Sequence, residues 1–201
     1  MKGIRDFLSN IAATYNIVKL NALSSKKDLA KLRCGAYSSE SFLSLADIVW
    51  KQAVRDEMCI STLIVDVEDF GDMCNKYGLL ACEEILAKIS GIILQNVRRP
   101  LDLTGRYRRS VYAVLLYSAS LKAANRIADR INNEIKQQKF QRVGFVDDIV
   151  VNVQIGVATN EKPSLETSFE DLLKEAENGF CGARKDNVCT NCANNGKGIC
   201  V

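Results

Sequence analysis

Histidine is missing altogether from the 201 residues. Without an imidazole, any zinc or iron site would have to be built from thiolates and carboxylates. No apolar run is long enough to span a bilayer, and the opening stretch "MKGIRDFLSNIAATYN" is too polar for the apolar part of a secretion signal. These absences predict a cytoplasmic protein with no membrane partner. Charge of one sign is scarce as well: 27 basic and 24 acidic residues, spread along the chain, leave a net +3. That balance argues against a dedicated nucleic-acid surface. There is no internal repeat and no low-complexity segment. What is present is 47% hydrophobic content, enough for one substantial core and one main domain. Eight cysteines in a reducing compartment read as buried thiols, metal ligands or redox groups before they read as structural disulfides.

The chain is organised by periodicity. Ile4, Phe7, Leu8, Ile11, Ile17, Val18 and Leu20 fall at loosely helical spacing, so residues 1–27 read as an N-terminal helix and linker. That helix either packs on its own domain or forms a dimerising stalk. Residues 28–201 form the main domain. Within it a helix is expected from Ser41 to about Glu57, and "ISTLIVDVEDF" begins as a buried strand of continuous apolar residues. Leu79 to Val97 is helical by pattern. Two strand-like runs come next, Leu101 to Tyr107 and Val111 to Tyr117. Leu121 to Lys136 is again helical, Asp147 to Thr159 is a strand, and Ser168 to Arg184 is a last helix with Ser168 as its N-cap. This order predicts an α+β palm, a mainly antiparallel sheet surrounded by helices, rather than a doubly wound fold. One feature resists the pattern: the reversal between the two central runs is Arg108-Arg109-Ser110, where a tight hairpin needing positive φ would favour Gly, Asn or Asp.

Four strings, in order, carry a resemblance: "LIVDVEDFGDMCNKYGLLACEEIL", "GRYRRSVYAVLL", "VNVQIGVA" and "EAENGFCGAR". Together they resemble the GGDEF-type diguanylate cyclase domain, whose signature hairpin reads R-Y/F-G-G-D/E-E-F. The resemblance implies the palm-like fold of nucleotidyl cyclases. It also implies that the hairpin tip is a degenerate active site. The two signature glycines, which let backbone approach GTP, are Arg108 and Arg109, and the acids after them are Ser110 and Val111. Asp66 matches the family's first metal ligand, while Glu68 and Asp69 read as turn acids. The family's guanine-reading Asn is Cys74, its Asp is Glu83, and its phosphate-binding Lys is Arg184. Two-metal phosphoryl transfer needs the missing carboxylates, so the chain is expected not to be an enzyme and to require no cofactor.

Upstream of the hairpin, "RPLD" places Arg99 and Asp102 at the form and offset of the family's R-x-x-D inhibitory site for cyclic di-GMP, with Arg130 in register as the further arginine from the same or a facing subunit. A guanidinium can fork onto guanine or phosphate, and a carboxylate can accept from guanine N–H groups. The expected function is therefore a catalytically inactive receptor for cyclic di-GMP, acting as a homodimer or through a protein effector. Two alternatives stay open: a nucleotide-independent scaffold presenting Arg108, Arg109 and the cysteine tail, and a weak GTP-binding domain acting through Asp66 and Arg184. In the tail, residues 181–200, Cys181, Cys189, Cys192 and Cys200 are candidate ligands for zinc or an iron-sulfur cluster, with a redox pair or inert thiols as alternatives. Cys34, Cys59, Cys74 and Cys82 read as core or pocket-wall residues.

Overall fold

A computed structural model of the chain describes residues 35–140, 149–181 and 198–200. The N-terminal helix and linker expected over 1–27 lie outside the described residues. The elements run β1 (Tyr37–Ser38), α1 (Ser39–Asp56), β2 (Ile60–Val67), α2 (Phe70–Tyr77), α3 (Leu79–Asn96), β3 (Leu103–Arg106), β4 (Val111–Tyr117), α4 (Leu121–Gln137), β5 (Val153–Asn160), α5 (Phe169–Cys181) and β6 (Gly198–Cys200).

The strands form one sheet in the order β1-β3-β4-β2-β5-β6. Only the β1–β3 pairing is parallel; β3–β4, β4–β2, β2–β5 and β5–β6 are antiparallel. The α+β palm expected from element order is therefore the fold observed. β2 sits at the centre because both of its neighbours are apolar strands, and its side chains alternate between two cores. Leu63, Val65 and Val67 face the core built with α3 and α4, whereas Ile60 and Ile64 face the core built with α1 and α5.

Each helix arises from local chemistry. In α1 the buried residues Phe42, Leu45, Ala46, Val49, Trp50 and Ala53 repeat at the spacing that puts them on one stripe. Ser38 caps its start, accepting from the Ser41 N–H at 3.3 Å. α5 begins with a reciprocal cap: Ser168 Oγ accepts from the Asp171 N–H, and an Asp171 carboxylate oxygen accepts from the Ser168 N–H, both at 3.2 Å. Ser168 is thus the cap the sequence indicated, and the expected continuation of this helix from Cys181 to Arg184 lies outside the described residues. β3 comes close to α1 at Gly105, where a Cβ would run into Phe42. Among the described residues no helix is long and apolar enough to cross a membrane.

Two expectations are corrected, and one element was not expected. Residues 147–148 of the strand expected from Asp147 lie outside the described residues, and over 149–152 the strand is not formed: it runs Val153–Asn160, with Phe140 and Ile149 forming an isolated bridge before it. Its partner β2 ends at Val67, opposite Val153; the Glu68 N–H still donates to the Asn152 carbonyl at 3.0 Å, and the chain then turns into α2, which ends the ladder there. The first hairpin strand begins at Leu103 rather than Leu101, since Arg99 O closes a turn onto the Asp102 N–H at 3.1 Å. The short helix α2 was not expected. It buries only Phe70 and Met73, too little for a periodic signal, and Gly78 with φ 85° separates it from α3.

Candidate functional site

The hairpin tip closes without glycine because it does not use left-handed backbone. Among the described residues positive φ occurs at Glu57, Asp69, Ser118, Gly35 and Gly78, and not at Arg108, Arg109 or Ser110. The Val111 N–H donates to the Arg108 carbonyl at 3.3 Å, and the Tyr107 N–H to the Val111 carbonyl at 2.8 Å. That i to i+3 closure is a turn any L residue adopts, which corrects the expectation that this reversal demands positive φ.

The arginine side chains are engaged by the domain itself. Arg108 makes an ion pair with Glu177 of α5 at 2.8 Å and lies over the Tyr107 ring. Arg109 lies over the ring of Phe70, at the start of α2. Beneath them Arg106 forks onto Glu83, with its two terminal nitrogens 2.8 and 2.9 Å from the two carboxylate oxygens. The same guanidinium donates to the Arg109 carbonyl from Nε at 3.1 Å and from Nη2 at 2.8 Å. These hydrogen bonds hold the Glu83 carboxyl below its usual range. Glu83, the acceptor that the resemblance assigns to guanine, is thus already occupied by Arg106, a partner that the sequence did not indicate.

Asp66, near the end of β2, stands opposite Val111 in register and accepts from Ser110 Oγ at 3.2 Å. Glu68 accepts from Gln154 Nε2 at 2.6 Å, and Asp69 adopts φ 49° at the start of α2. Ser110 and Val111, at the positions the resemblance assigns to metal-binding acids, offer a hydroxyl and an isopropyl group, and among the described residues no three Asp, Glu or Cys side chains converge to hold a metal. The residues present do not fit a two-metal site. Arg184, Cys189 and Cys192 lie outside the described residues, and Cys181 and Cys200 are placed only as the end of α5 and of β6. The candidate cysteine metal site therefore has no described geometry.

The R-x-x-D residues come together elsewhere. The C-terminal end of α3, the turn after it and one face of α4 enclose a groove of about 820 Å³, lined by Arg98, Arg99, Asp102, Arg126, Arg130 and Glu134, among others. Arg130 reaches it from the same chain. Its contact to the Asn96 carbonyl, at 3.5 Å, is at the limit of a hydrogen bond, which leaves its donors open to a ligand. Arg98 and Arg126 were not singled out from the sequence. The available signal for Arg126 was its position one helical turn before Arg130, on the same face.

Asp102 is the floor of this groove. It is only 8% exposed, and its Oδ1 accepts from the Tyr117 N–H at 3.0 Å. Burial pushes its carboxyl up to about 6, against the pull of the Tyr117 N–H and the Arg99 charge. A cationic rim over a buried, readily protonated acid can bind an anion that also presents N–H donors.

Residues 35–187 match the family model described as Diguanylate cyclase, GGDEF domain. The chain is 32% identical over 127 residues to diguanylate cyclase DosC of Escherichia coli K12, covering 63% of this chain and 26% of DosC. It is 25% identical over 150 residues to the response regulator PleD of Caulobacter vibrioides, covering 75% of this chain and 32% of PleD. The chain thus spans about a quarter to a third of the length of these relatives. Among solved structures, the GGDEF domain of DgcB from Caulobacter crescentus, in complex with c-di-GMP, superposes with a TM-score of 0.69 at 15% identity, over 74% of this chain and 85% of that one. Diguanylate cyclase SiaD of Pseudomonas aeruginosa, in complex with its activator SiaC, gives 0.71 at 17% identity, over 94% and 72%. With the palm, the order of its strands and a family match over most of its length in agreement, the chain belongs to the GGDEF family of diguanylate cyclase domains.

Proposed function

We propose that this domain binds cyclic di-GMP as a receptor and no longer synthesises it. The observation that carries the reading is the groove itself, where Arg99, Asp102 and Arg130 line one cavity of a single chain. The ligand offers two phosphates to the arginines and guanine N–H donors to Asp102. Low-micromolar affinity corresponds to about 8 kcal/mol, within reach of a few charge-assisted hydrogen bonds after ordering costs. The neighbouring DgcB domain was solved with c-di-GMP, which supports this ligand class for the fold.

Loss of synthesis rests on the hairpin. Ser110 and Val111 supply no metal-binding charge, and the Arg106 fork on Glu83 competes with guanine for the remaining acceptor. The same fork weighs against the weak GTP-binding alternative, and the internal engagement of Arg108 and Arg109 weighs against their serving as a free docking face. A receptor of this kind passes occupancy on through a homodimer or a protein effector in the cytoplasm. SiaD, solved with an activator protein, is a family precedent for a protein partner. Calorimetric titration with cyclic di-GMP, GTP and GDP tests the reading. Saturable binding of cyclic di-GMP, lost in Arg99→Ala, is the expected result; no heat with cyclic di-GMP, or full affinity in both Arg99→Ala and Asp102→Ala, ends it.

A further inference from the structure

The groove holds a second carboxylate with a fixed direction. Arg126, Arg130 and Glu134 occupy successive turns of α4, about 6 Å apart along the helix, and all three line the cavity. An exposed glutamate one turn from an arginine would ordinarily swing freely or pair with it. Here Asn96, the last residue of α3, fixes the acid. Asn96 Nδ2 donates to Glu134 Oε2 at 2.9 Å and to the Ile92 carbonyl at 3.0 Å. Both partners are acceptors, so both amide hydrogens are used and the amide cannot turn over without losing two bonds. Glu134 keeps all of Oε1 and one lone pair of Oε2 for a ligand. Asp129, the third acid of the groove, makes no hydrogen bond or ion pair among the described residues, so nothing there sets its direction.

An acid held in this place has a chemical consequence. Arg98, Arg99, Arg126 and Arg130 make the groove an anion site. A carboxylate among them repels a phosphate ligand unless that ligand turns N–H donors toward it. Guanine does so, because its N1–H and N2–H groups lie side by side and match the two oxygens of a carboxylate. Adenine presents a bare N1 acceptor at the same edge, which would meet the carboxylate lone pair to lone pair. We propose that Glu134 is a specificity-determining residue of the groove: it reads the second guanine of a cyclic dinucleotide whose first guanine is read by Asp102, and it disfavours ligands with adenine in that place. The assignment rests on the cyclic di-GMP reading and adds to it the requirement for two guanines.

The two acids act differently. Asp102 is buried and tied to β4 through the Tyr117 N–H, so a base that fails to pair with it leaves a buried acceptor unmet. Glu134 is exposed, and its bonds to guanine replace bonds to water with little net gain. Its effect lies in the penalty on the wrong base, where a fixed acceptor faces another acceptor.

Calorimetric titration of the full chain with three probes tests this: cyclic di-GMP, the mixed cyclic dinucleotide of GMP and AMP with the same phosphate linkages, and cyclic di-AMP. The mixed ligand can give its guanine to Asp102 but must then turn adenine to Glu134. In the wild type, cyclic di-GMP is expected to bind roughly tenfold more tightly than the mixed ligand, with cyclic di-AMP the weakest. In Glu134→Ala the first two should come within about threefold of each other, mainly because the mixed ligand binds better, while cyclic di-AMP stays weakest because Asp102 is unchanged. Tighter binding of one ligand is a change that damage to the fold does not produce. The inference is overturned, with the receptor reading left standing, by a tenfold preference that persists in Glu134→Ala, by equal wild-type affinity for the first two ligands, or by an equal loss of both in the variant. No wild-type binding of cyclic di-GMP removes the receptor reading and this inference with it.

Discussion

Asp102→Asn separates what the groove floor does for stability from what it does for binding. In the folded domain the Asp102 carboxyl titrates at about 6, above its ordinary 3.8, because burial disfavours the charge. A carboxyl raised on folding contributes stability that is fully present below about 3.8 and is lost as pH rises through about 6. The difference of about two pKa units corresponds to about 3 kcal/mol at neutral pH, of which about 1.4 kcal/mol disappears between pH 5 and 8. Asparagine keeps an oxygen that accepts from the Tyr117 N–H and never pays for a buried charge. The stability gap between variant and wild type should therefore widen in favour of the variant by about 1.4 kcal/mol from pH 5 to pH 8, or a relative melting shift of roughly 3 to 6 °C for a chain of this size. Urea denaturation at a series of pH values, without ligand, measures it. Binding should move the opposite way. The ionised carboxylate is the form that accepts guanine N–H groups, so wild-type affinity for cyclic di-GMP should fall below pH 6. In Asp102→Asn it should be about tenfold weaker at pH 8 and nearly independent of pH. Asp129 and Glu134, the other groove acids, are exposed and common to both proteins. Parallel stability curves for variant and wild type across this pH range would refute the reasoning.

With GTP and Mg²⁺ the protein should form no cyclic di-GMP; product that disappears in Asp66→Ala, detected chromatographically, would falsify that expectation. Arg126→Ala should weaken cyclic di-GMP binding by roughly three- to tenfold and flatten its salt dependence, with Arg126→Lys recovering most of the loss, since the side chain adds charge to the rim rather than a packed contact. Titration at two ionic strengths checks this, and unchanged affinity in Arg126→Ala removes the residue from the site. Gly105→Ala should cost at least about 1–3 kcal/mol in urea denaturation, because the new methyl meets the Phe42 Cβ and Cγ at the base of a buried side chain that cannot swing away. A cost below half a kcal/mol would mean that β3 and α1 separate more readily than their contact implies.

The legible parts of the fold were those where a single period runs long enough to register. β2 is eight residues with seven of them buried, and α1 repeats its apolar stripe over three turns, so each declares itself. α2 did not, because two buried residues on eight cannot establish a period. The late start of β5 was not legible either. Residues 149–153 are as apolar as a strand, and what ends the ladder is the turn at the far end of its partner, a fact about β2 rather than about β5. The hairpin misled in a different way. Two arginines looked incompatible with a tight reversal only on the assumption that the reversal needs positive φ, and a turn closed from Val111 to Arg108 removes that requirement.

The same distinction governs the site. The family resemblance named Arg99, Asp102 and Arg130 together, and all three line one groove because they sit on or beside the regular elements α3 and α4. Spacing does not say which way a side chain turns once it arrives. Asp102 turns inward, ties off the end of β4 through the Tyr117 N–H, and so becomes buried. Tyr117 then passes its own hydroxyl to Asp56, the last residue of α1, at 2.7 Å. A ligand that competes for Asp102 must therefore either share its second oxygen or loosen the end of a central strand. Sharing leaves the Tyr117 bond intact and predicts slow amide exchange at Tyr117 in both free and bound protein. Loosening predicts that exchange there speeds up on saturation with cyclic di-GMP. Burial favours sharing, since breaking a buried N–H bond costs about 1–3 kcal/mol that the groove would have to recover elsewhere. Faster exchange at Tyr117 in the saturated protein would show that the ligand works instead by releasing β4 from its acid.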